Sequence, residues 1–448
     1  MNIIESMFQL SLIFSPYMSD KHHSYFKFLD WHLDRLNHQL HLNYEMQNVG
    51  MVTEILSFPS FNLTNSGDIQ AKIDATCELI HLMCGVSYYK AGLATSIDFE
   101  TTPSQLVAGF IEKTWKNGLA ELAFENNVSI DYLKLTGNGS HKSKHRISEI
   151  TNNNQSLVAI GGGKDSLVTI EELRQQNKDI TLFMVGNSAF IKEVAAFTEI
   201  PLIQVKRKID PKLIEYNKTG AGFNGHVPIT AINSCVAVLT ALLFDFNEIV
   251  FSNERSADSA NTINSEGKLV NHQYSKSLEF EKDLSNIINH EITTNLKYYS
   301  QQRCFSELAI LEKFSHYPQY FPVFSSCNRN FHIDGSHNKN SKWCCHCPKC
   351  RFVFLGLAPF IDKDQLLNIF KNNLLDDMTQ LEGFEELLGI KGFKPFECVG
   401  EIEESQLAFN LIKNKEAWNN SVLVKKLSQS VPENTEQQFN EIMQAKES

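Results

Sequence analysis

The stretch that decides the fold is Ser156-Leu-Val-Ala-Ile-Gly-Gly-Gly-Lys-Asp-Ser-Leu-Val168. An apolar run typical of a strand ends in three glycines, and residues with helical spacing follow. Glycines 161–163 have no Cβ, so the backbone can turn tightly and direct several N–H groups at one anion. The following helix N-terminus adds N–H groups, Lys164 a charge and Ser166 a hydroxyl. The sequence therefore predicts a phosphate-binding loop; the alternative is a plain glycine turn.

The loop lacks the spacing of two common nucleotide-binding motifs. The Walker loop needs four residues between its glycines, and the dinucleotide loop needs Gly-x-Gly-x-x-Gly. Residues 161–166 instead resemble the PP-loop, Ser-Gly-Gly-x-Asp-Ser, of ATP pyrophosphatases, which release AMP and pyrophosphate as they adenylate a substrate oxygen. One hydroxyl donor is missing because glycine replaces the first serine. By this resemblance the ATP-binding residues are Gly161, Gly162, Gly163, Lys164, Asp165 and Ser166.

The composition limits the class of protein. The 448 residues suffice for two or three domains, and a hydrophobic content of 42% suffices for a sizeable core. A net charge of -11 argues against nucleic acid and against an anionic membrane as partners. The N-terminus lacks the basic region of a signal peptide, and the most apolar stretch, 229–246, contains polar residues typical of a buried helix. We expect a cytoplasmic protein that acts on a small molecule, with no oligomeric state indicated.

Strand and helix patterns alternate from residue 156 onward, which predicts a parallel sheet with crossover helices. The expected fold class is α/β: a PP-loop ATP pyrophosphatase (HUP-like) domain, an N-terminal α+β domain with probable substrate contacts, and a helical C-terminal region. The predicted division is 1–133 for the N-terminal domain, 134–155 for a linker, 156–360 for the ATP-binding domain, 361–431 for the helical region and 432–448 for a polar, frayed tail.

Individual elements follow from the spacing of apolar residues. In the N-terminal part, residues 31–58 predict short strands, and residues 69–83 and 104–124 predict helices. Further on, helices are expected at 167–175 and 229–246, and strands at 157–160, 180–185, 202–206, 248–252 and 321–324. Ligands bind at the carboxyl ends of parallel strands, so the segments after residues 160 and 252 are candidates for one site.

Four of the ten cysteines crowd into residues 344–350. Cys344, Cys347 and Cys350 have the two-residue spacing that lets a turn wrap one ion, and Cys327 can complete a tetrahedron. This pattern predicts a structural zinc site in a reducing compartment. The alternatives are buried free thiols and a thiol pair that moves a proton directly. Alternative ligands are Cys345, His332, His337 and His346.

A second charged loop, Asn253-Glu-Arg255, follows the predicted strand 248–252. Arg255 can hold a phosphate or carboxylate through two hydrogen bonds, and Glu254 can bind magnesium or a hydroxyl. The alternative is a helix start capped by Asn253. His226 precedes a predicted helix with Pro228 in its first turn, and it either faces the phosphates or is a structural histidine.

Two further segments carry reactive or aromatic side chains. Residues 272–281 combine a base, a cation and two acids, and on a helix Lys276 and Glu279 would share a face. Such a face is equally typical of a solvated surface. Residues 85–90 are either a substrate loop or a glycine-capped helix end with aromatic packing. The candidate substrate contacts in this segment are Ser87, Tyr88, Tyr89 and Lys90.

Taken in order, these segments resemble the MurL family, the ATP-dependent UDP-N-acetylmuramoyl-L-alanyl-L-glutamate epimerases of peptidoglycan precursor synthesis. The resemblance covers about residues 50 to 405, and the order of the motifs is more specific than any one of them. Arg351, in the sixth motif, is a further candidate substrate contact. The motifs are Gly85-Val-Ser-Tyr-Tyr-Lys90, Gly161-Gly-Gly-Lys-Asp-Ser166, His226-Val-Pro-Ile-Thr230, Asn253-Glu-Arg-Ser-Ala257, His272-Gln-Tyr-Ser-Lys-Ser-Leu-Glu-Phe-Glu281, Cys347-Pro-Lys-Cys-Arg-Phe-Val-Phe-Leu355 and Lys394-Pro-Phe-Glu-Cys-Val-Gly400.

The resemblance implies inversion of the α-carbon of the terminal L-Glu, with ATP converted to AMP and pyrophosphate. A Cα–H bond beside an ionised carboxylate is hard to break, and the amide nitrogen of this Glu cannot form a Schiff base with pyridoxal phosphate. Adenylation removes the carboxylate charge, so that a base can take the proton and it can return to the other face. Mg²⁺ would balance the phosphate charge beside the catalytic Lys164 and Asp165. The candidate bases are Lys276, Glu279, Glu281 and His226.

Two other functions fit the same loop. One is a PP-loop adenylating enzyme that thiolates, amidates or ligates another substrate, such as tRNA or a nucleobase. The acidic balance of the chain counts against tRNA. The other is a non-catalytic nucleotide sensor. The intact Lys164-Asp-Ser166 and the charged loop at Asn253 favour catalysis.

Overall fold

The computed structural model describes residues 24–63, 66–137, 155–263, 267, 269–331, 342–392 and 394–446. Most of the predicted linker lies outside these ranges, as do the alternative zinc ligands His332 and His337. The description that follows is confined to them.

One large mixed sheet runs through the molecule. The strands, in chain order, are β1 (Tyr25–Asp34), β2 (Gln39–Met46), β3 (Gly50–Ser57), β4 (Ser96–Phe99), β5 (Gln155–Ala159), β6 (Asp179–Val185), β7 (Leu202–Lys208), β8 (Glu248–Phe251), β9 (Thr262–Ile263), β10 (Leu269–Val270) and β11 (Lys297–Ser300). Nine of them pair in the order β11-β8-β5-β6-β7-β3-β2-β1-β4, and β9 and β10 form a separate ribbon. The five strands from β11 to β7 are all parallel, whereas β7, β3, β2 and β1 pair antiparallel.

Helices cover both faces of this sheet. They are α1 (Gly67–Cys84), α2 (Val86–Gly92), α3 (Gln105–Gly118), α4 (Ala120–Glu125), α5 (Lys164–Gln175), α6 (Ala189–Phe197), α7 (Pro211–Lys218), α8 (Ile229–Phe244), α9 (Leu278–Ile287), α10 (Glu307–Ser315), α11 (Pro348–Leu357), α12 (Lys363–Phe370), α13 (Leu381–Leu387), α14 (Ile402–Lys413), α15 (Val422–Leu427) and α16 (Glu436–Met443). Among the helices of the described ranges, none has the length and apolar character needed to cross a membrane.

Two apolar cores lie on opposite faces of the sheet. Successive side chains of a strand point to opposite faces, and accordingly Leu157 belongs to one core and its neighbour Val158 to the other. The first core contains the N-terminal strands with helices α1, α3 and α8, and the second contains α5, α10 and the C-terminal helices. Helix α8 is buried on nearly all sides, which explains its long apolar sequence.

The sequence predicted the central part of this architecture. An α/β fold with a large, mostly parallel sheet and a helical C-terminal region is confirmed, as are the strands that became β5, β6, β7 and β8. The specific PP-loop topology and the division into domains stay predictions. The predicted N-terminal and ATP-binding domains share one sheet, because β3 pairs with β7 through Leu56 and Arg207.

Three details of the sequence prediction are wrong. Residues 321–324 form a turn rather than a strand, because Phe324 packs into the core 4.5 Å from the ring centre of Phe314. The strand at this edge is β11, which the sequence analysis missed. The predicted helix 104–124 breaks at Leu119 into α3 and α4. The tail is not frayed, since α16 packs against the body of the protein through the buried Ile442.

Candidate active site

The glycine loop connects β5 to α5 at the carboxyl edge of the parallel strands. Gly162 has a φ of +79°, and a Cβ there would lie 2.7 Å from the ring of Phe190. A side chain is therefore excluded both by conformation and by space. A Cβ at Gly161 would meet nothing within 4 Å, so this side of the loop is open. Gly163 is the N-cap of α5 and provides no side-chain cap, so the first-turn N–H groups of this helix lack partners within the helix.

Lys164 is held by two carboxylates behind this loop. Its ammonium group donates to Asp165 at 2.7 Å and to Glu307 at the start of α10. Lys164 and Glu307 are both buried. Burial opposes the charge of Lys164, but Asp165 and Glu307 outweigh it and raise its pKa. The lysine is therefore a fixed positive charge under the loop.

Lys276 and Glu254 lie against the same group of charges. Burial opposes the charge of Lys276, yet Cys398, Glu254, Asp165 and Glu307 together raise its pKa. Glu254 is buried, and its Oε1 has no hydrogen-bond partner within the described residues. An unpartnered buried carboxylate oxygen in the charged group that also contains Asp165 is the hard donor that Mg²⁺ prefers. The residues present thus fit a magnesium ion at this position.

Arg303 connects the segments that carry Glu254 and Lys276 through hydrogen bonds. Its guanidinium donates to the backbone oxygens of Glu254 at 3.0 Å and Lys276 at 2.7 Å, and to the Glu281 carboxylate at 2.9 Å. Arg303 follows β11, so the segments after β8 and β11 and the turn before α9 are fixed by one side chain. The planar fork of arginine suits several acceptors at once.

A chain of acid–base groups extends from Lys276 toward α4. The Cys398 thiol is hydrogen-bonded to His272, and Nδ1 of His272 is hydrogen-bonded to the Glu121 carboxylate. The ring of His226 lies 4.3 Å from that of His272, and its Nδ1 lies 3.8 Å from the Glu121 carboxylate. Four segments far apart in sequence therefore meet at one point.

The surroundings give these groups different protonation states at neutral pH. Burial and the charge of neighbouring His272 lower the pKa of His226 to about 4, so its imidazole is neutral. Burial also disfavours charged His272, but hydrogen bonds to Cys398 and Glu121 raise its pKa to about 9. Burial raises the pKa of Cys398, but Lys276, Lys349 and His272 overcome this and lower it to about 6. Cys398 and His272 thus form a thiolate–imidazolium pair.

The cysteines predicted as metal ligands do come together. One ligand atom each from Cys327, Cys344, Cys347 and Cys350 lies within 4.8 Å of all the others. The Sγ atoms of Cys344 and Cys350 are 3.7 Å apart, and those of Cys347 and Cys350 are 3.4 Å apart. Tetrahedral Zn–S bonds of about 2.3 Å imply S···S separations of about 3.8 Å. The four sulfurs therefore fit a zinc ion, whose identity stays a prediction.

Comparison with known proteins identifies the family of the chain. Residues 18–301 match the family model of the MurL N-terminal domain, and residues 323–442 match that of the MurL C-terminal domain. The chain belongs to the MurL family. A protein of Xanthomonas oryzae pv. oryzae (strain MAFF 311018) is 38% identical over 420 residues, which cover 92% of this chain and 91% of that protein. One from Micromonospora sp. is 38% identical over 382 residues, covering 85% of this chain and 84% of that protein.

A third relative, from Salinispora tropica, is 37% identical over 382 residues, covering 85% of this chain and 82% of that protein. All three relatives are named UDP-N-acetyl-alpha-D-muramoyl-L-alanyl-L-glutamate epimerase. The resemblance found in the sequence is thereby confirmed, and this MurL chain is an epimerase.

The structure gathers about half of the candidate site residues of this MurL chain. Lys164, Asp165, Glu254 and Lys276 form one charged group at the glycine loop. His226 joins it through His272, and Lys90 lies close enough to His226 to affect its pKa. The Lys90 ammonium donates to the backbone oxygen of Gly225 at 2.8 Å.

Other candidates lie elsewhere. Glu279 is on α9 and is mostly exposed, 2.6 Å from Lys113. The expectation that Lys276 and Glu279 share a helix face is wrong, because Lys276 ends a short 3-10 turn and α9 begins only after Ser277. Glu281 faces inward, but its carboxylate is bound by Arg303.

The remaining candidates have structural partners. Asn253 donates to the Ser300 hydroxyl at 3.0 Å, and Arg351 donates to the Gln380 side chain at 2.9 Å. Arg255 points to backbone oxygens near the end of α16. Ser87, Tyr88 and Tyr89 are buried in α2, with the Tyr88 ring stacked 5.0 Å from Tyr44. The contacts of Ser87, Tyr88 and Tyr89 correspond to the packing alternative for residues 85–90, and the roles of all these residues in ligand binding stay predictions.

Sequence reasoning missed several residues of the site. Glu307 and Arg303 follow β11, a strand that was not predicted, so their position at the sheet edge was hidden. Glu121 was assigned to the last turn of a long predicted helix. Cys398 lies in a matched motif, but only the crowded cysteines drew attention as reactive or ligating thiols. One signal in the sequence could have indicated Cys398. It is an acid–base residue within a family motif, Lys394-Pro-Phe-Glu-Cys-Val-Gly400.

A cavity lined by other residues lies apart from this site. It has a volume of about 570 Å³ and lies between β1 and α1. Its lining includes four carboxylates, namely Asp30, Asp74, Glu78 and Glu291. Such a lining repels phosphate groups, so this cavity does not suit a nucleotide.

Proposed function

We propose that the protein inverts the α-carbon of the terminal L-Glu of UDP-MurNAc-L-Ala-L-Glu, with ATP converted to AMP and pyrophosphate, in peptidoglycan precursor synthesis. The observation that carries this proposal is that one site combines a phosphate-type glycine loop with a network of acid–base groups. The names of the relatives support the substrate. Neither a simple nucleotide sensor nor a cofactor-free epimerase would need both parts.

The glycine loop supports the use of ATP. The N–H groups of residues 161–163 and of the first turn of α5 can hold the β- and γ-phosphates, with the open side at Gly161 as the entrance. Lys164 and Lys276 are both positively charged, so they favour the extra negative charge that develops when the substrate carboxylate attacks the α-phosphorus. The products of that step are the acyl-adenylate and pyrophosphate.

Two metal ions fit residues of this chain. Mg²⁺ would be held by Glu254 and Asp165, and when bound it neutralises phosphate charge. Zn²⁺ would be held by the four clustered cysteines and would fix the segment before α11 to residue 327. Its role is structural, since all four positions are taken by cysteine.

The acid–base network supports the proton transfer that epimerisation requires. Once the carboxylate is an adenylate, the electrons of the Cα–H bond can move into its carbonyl group. Lys276 then stabilises the developing negative charge because it remains protonated. Hydrolysis of the anhydride after inversion releases AMP and the D-Glu product.

The experiment is incubation of the protein with ATP, Mg²⁺ and UDP-MurNAc-L-Ala-L-Glu in D₂O. We expect AMP, pyrophosphate and a product whose terminal D-Glu carries deuterium at Cα. An analogue with an α-amide in place of the α-carboxylate serves as the control. It should be inert because it has no carboxylate oxygen to attack the α-phosphorus of ATP.

Three results would contradict the proposal. ADP and phosphate in place of AMP and pyrophosphate would exclude adenylation. Epimerisation without ATP would exclude the activated carboxylate. A D-Glu product without solvent deuterium would argue against removal of the α-proton by an exchangeable base.

A further inference from the structure

We propose that Cys398 is the base that removes the α-proton of the activated glutamate. This inference rests on the proposed function and concerns a step that no sequence motif assigned. It is carried by the position of Cys398 between the charged group at the glycine loop and the His272–Glu121 pair.

Two contacts fix the loop that carries Cys398. The amide of Asn261 donates to the backbone oxygen of Pro395 at 2.9 Å, and the ring of Phe396 lies 5.5 Å from that of Phe124 near the end of α4. Cys398 as a residue is half-buried, unlike the fully buried Cys77, Cys84 and Cys235. It is therefore a residue held at the site by its loop, rather than a packed core cysteine.

The charged groups around Cys398 come from several elements. Lys276 precedes α9, Lys349 is in α11, and His272 lies after β10; all three are positive and favour the thiolate. Glu397, next to Cys398 in the chain, is the opposing group, and burial raises its pKa. Positive charge thus dominates, and Cys398 is ionised at neutral pH.

The other groups at this site are poorer bases. Lys276, Lys164 and His272 are protonated at neutral pH. The Glu281 carboxylate is bound by Arg303, and Glu279 lies at the surface with Lys113. Neutral His226 has a pKa near 4 and binds a proton weakly. A general base works best when its pKa is near the working pH, and Cys398, with a pKa of about 6, is the closest of these groups to that condition.

The proton transfer balances as follows. The thiolate forms an S–H bond with the α-proton, and the electron pair of the Cα–H bond moves into the adenylate carbonyl as an enolate. A protonated group of the same network gives a proton to the opposite face of the carbon. Cys398 then returns its proton to that group through His272, which restores the starting state.

The experiment compares Cys398→Ser with wild type in two half-reactions. The adenylation half-reaction is followed by ATP–pyrophosphate exchange, and proton removal by incorporation of solvent deuterium at Cα. We expect deuterium incorporation to fall by about 10²–10⁴-fold, with pyrophosphate exchange close to the wild-type rate. Cys304→Ser is the matched control, since Cys304 is also a half-buried cysteine, and it should change neither.

Each other result overturns the inference. Equal losses in both half-reactions would make Cys398 a structural residue. Unchanged deuterium incorporation in Cys398→Ser would assign the base elsewhere. A substrate-sized mass increase on Cys398 in quenched wild-type protein would identify a covalent nucleophile instead. Absence of pyrophosphate exchange in the wild type would instead refute the proposed function itself.

A second measurement does not depend on a variant. Alkylation of native wild-type protein by iodoacetamide, mapped by peptide, reports the thiolate fraction of each cysteine. We expect the Cys398 rate to have its midpoint near pH 6 and to fall when ATP and substrate are bound. A midpoint near that of an ordinary thiol, about 8.5, would contradict the inference.

Discussion

The guanidinium of Arg303 lies 2.9 Å from the carboxylate of Glu281, and both groups are buried. The same guanidinium holds the backbone oxygens of Glu254 and Lys276. One buried ion pair therefore fixes the two loops that supply a carboxylate and an ammonium to the site. The position of Lys276 relative to Glu254 therefore depends on Arg303.

Arg303→Met should destabilise the protein strongly. Breaking a buried pair leaves Glu281 as an uncompensated charge, which costs about 3–5 kcal/mol of unfolding free energy. Urea unfolding followed by circular dichroism measures this loss. The double variant Arg303→Met/Glu281→Gln should recover part of it, since the stranded charge is removed. A double variant no more stable than Arg303→Met would contradict the ion-pair explanation.

Asp165→Asn should keep the fold and reduce turnover. Lys164 retains its ion pair with Glu307, so burial of the lysine is still compensated. The lost carboxylate charge should lower ATP–pyrophosphate exchange by about 10²-fold. Asp179→Asn, at the exposed start of β6, is the control and should exchange at the wild-type rate. Wild-type exchange in Asp165→Asn would remove Asp165 from the site.

The cysteine cluster should contain about one zinc ion per chain. Cys344→Ser should lower both the zinc content and the melting temperature, because a ligand is lost. Cys345→Ser should retain the zinc, since its Sγ lies 3.4 Å from the backbone oxygen of Phe370 and is not one of the four clustered sulfurs. Elemental analysis of the purified variants decides this. A stable, metal-free wild-type protein would refute the zinc site.

Deuterium incorporation at Cα should have a bell-shaped pH profile. The pKa of Cys398 is lowered to about 6, so the reactive thiolate is present above that pH and is lost as the pH falls through it. The pKa of His272 is raised to about 9, so the imidazolium is present below that pH and is lost as the pH rises through it. The acid and basic limbs of the profile report apparent pKa values of the coupled Cys398–His272 pair, rather than of either residue alone.

His272→Gln tests the origin of the acid limb. Without the imidazolium the thiol pKa should rise, so the limb should move to higher pH. Rates measured between pH 5 and about 10 cover both expected limbs. An acid limb that stays in place would show that His272 does not stabilise the thiolate.

The sequence predicted the site only where the chemistry is local. The strand, the three glycines and Lys164 are consecutive, so their spacing alone indicated the loop. The cysteines 344, 347 and 350 likewise lie within one turn of chain. The Cys398–His272–Glu121 chain joins residues from three distant segments, and no periodicity relates them. For Arg255, the position after a strand indicated phosphate binding, whereas in the structure its guanidinium donates to the backbone oxygens of Glu441 and Ile442.

The C-terminal helix α16 gives a direct test of Arg255. The guanidinium donates to the backbone oxygens of Glu441 at 2.9 Å and Ile442 at 3.3 Å, where the helix has free carbonyl groups and a negative dipole end. Arg255→Ala should therefore lower the unfolding free energy by about 1–2 kcal/mol, as measured by urea unfolding. ATP affinity should remain unchanged.

Removal of residues 432–448 separates the two possible roles of this arginine. If Arg255 acts by anchoring α16, the truncation should destabilise the protein, and adding Arg255→Ala to the truncated chain should cost almost nothing further. Non-additivity of this kind is the signature of residues that act through one contact. If Arg255 instead binds phosphate, Arg255→Ala would weaken ATP binding in the full-length and truncated chains alike, and the stability loss would be absent. The observed contacts favour the first outcome, because hydrogen bonds to the carbonyl oxygens of Glu441 and Ile442 direct the guanidinium toward α16.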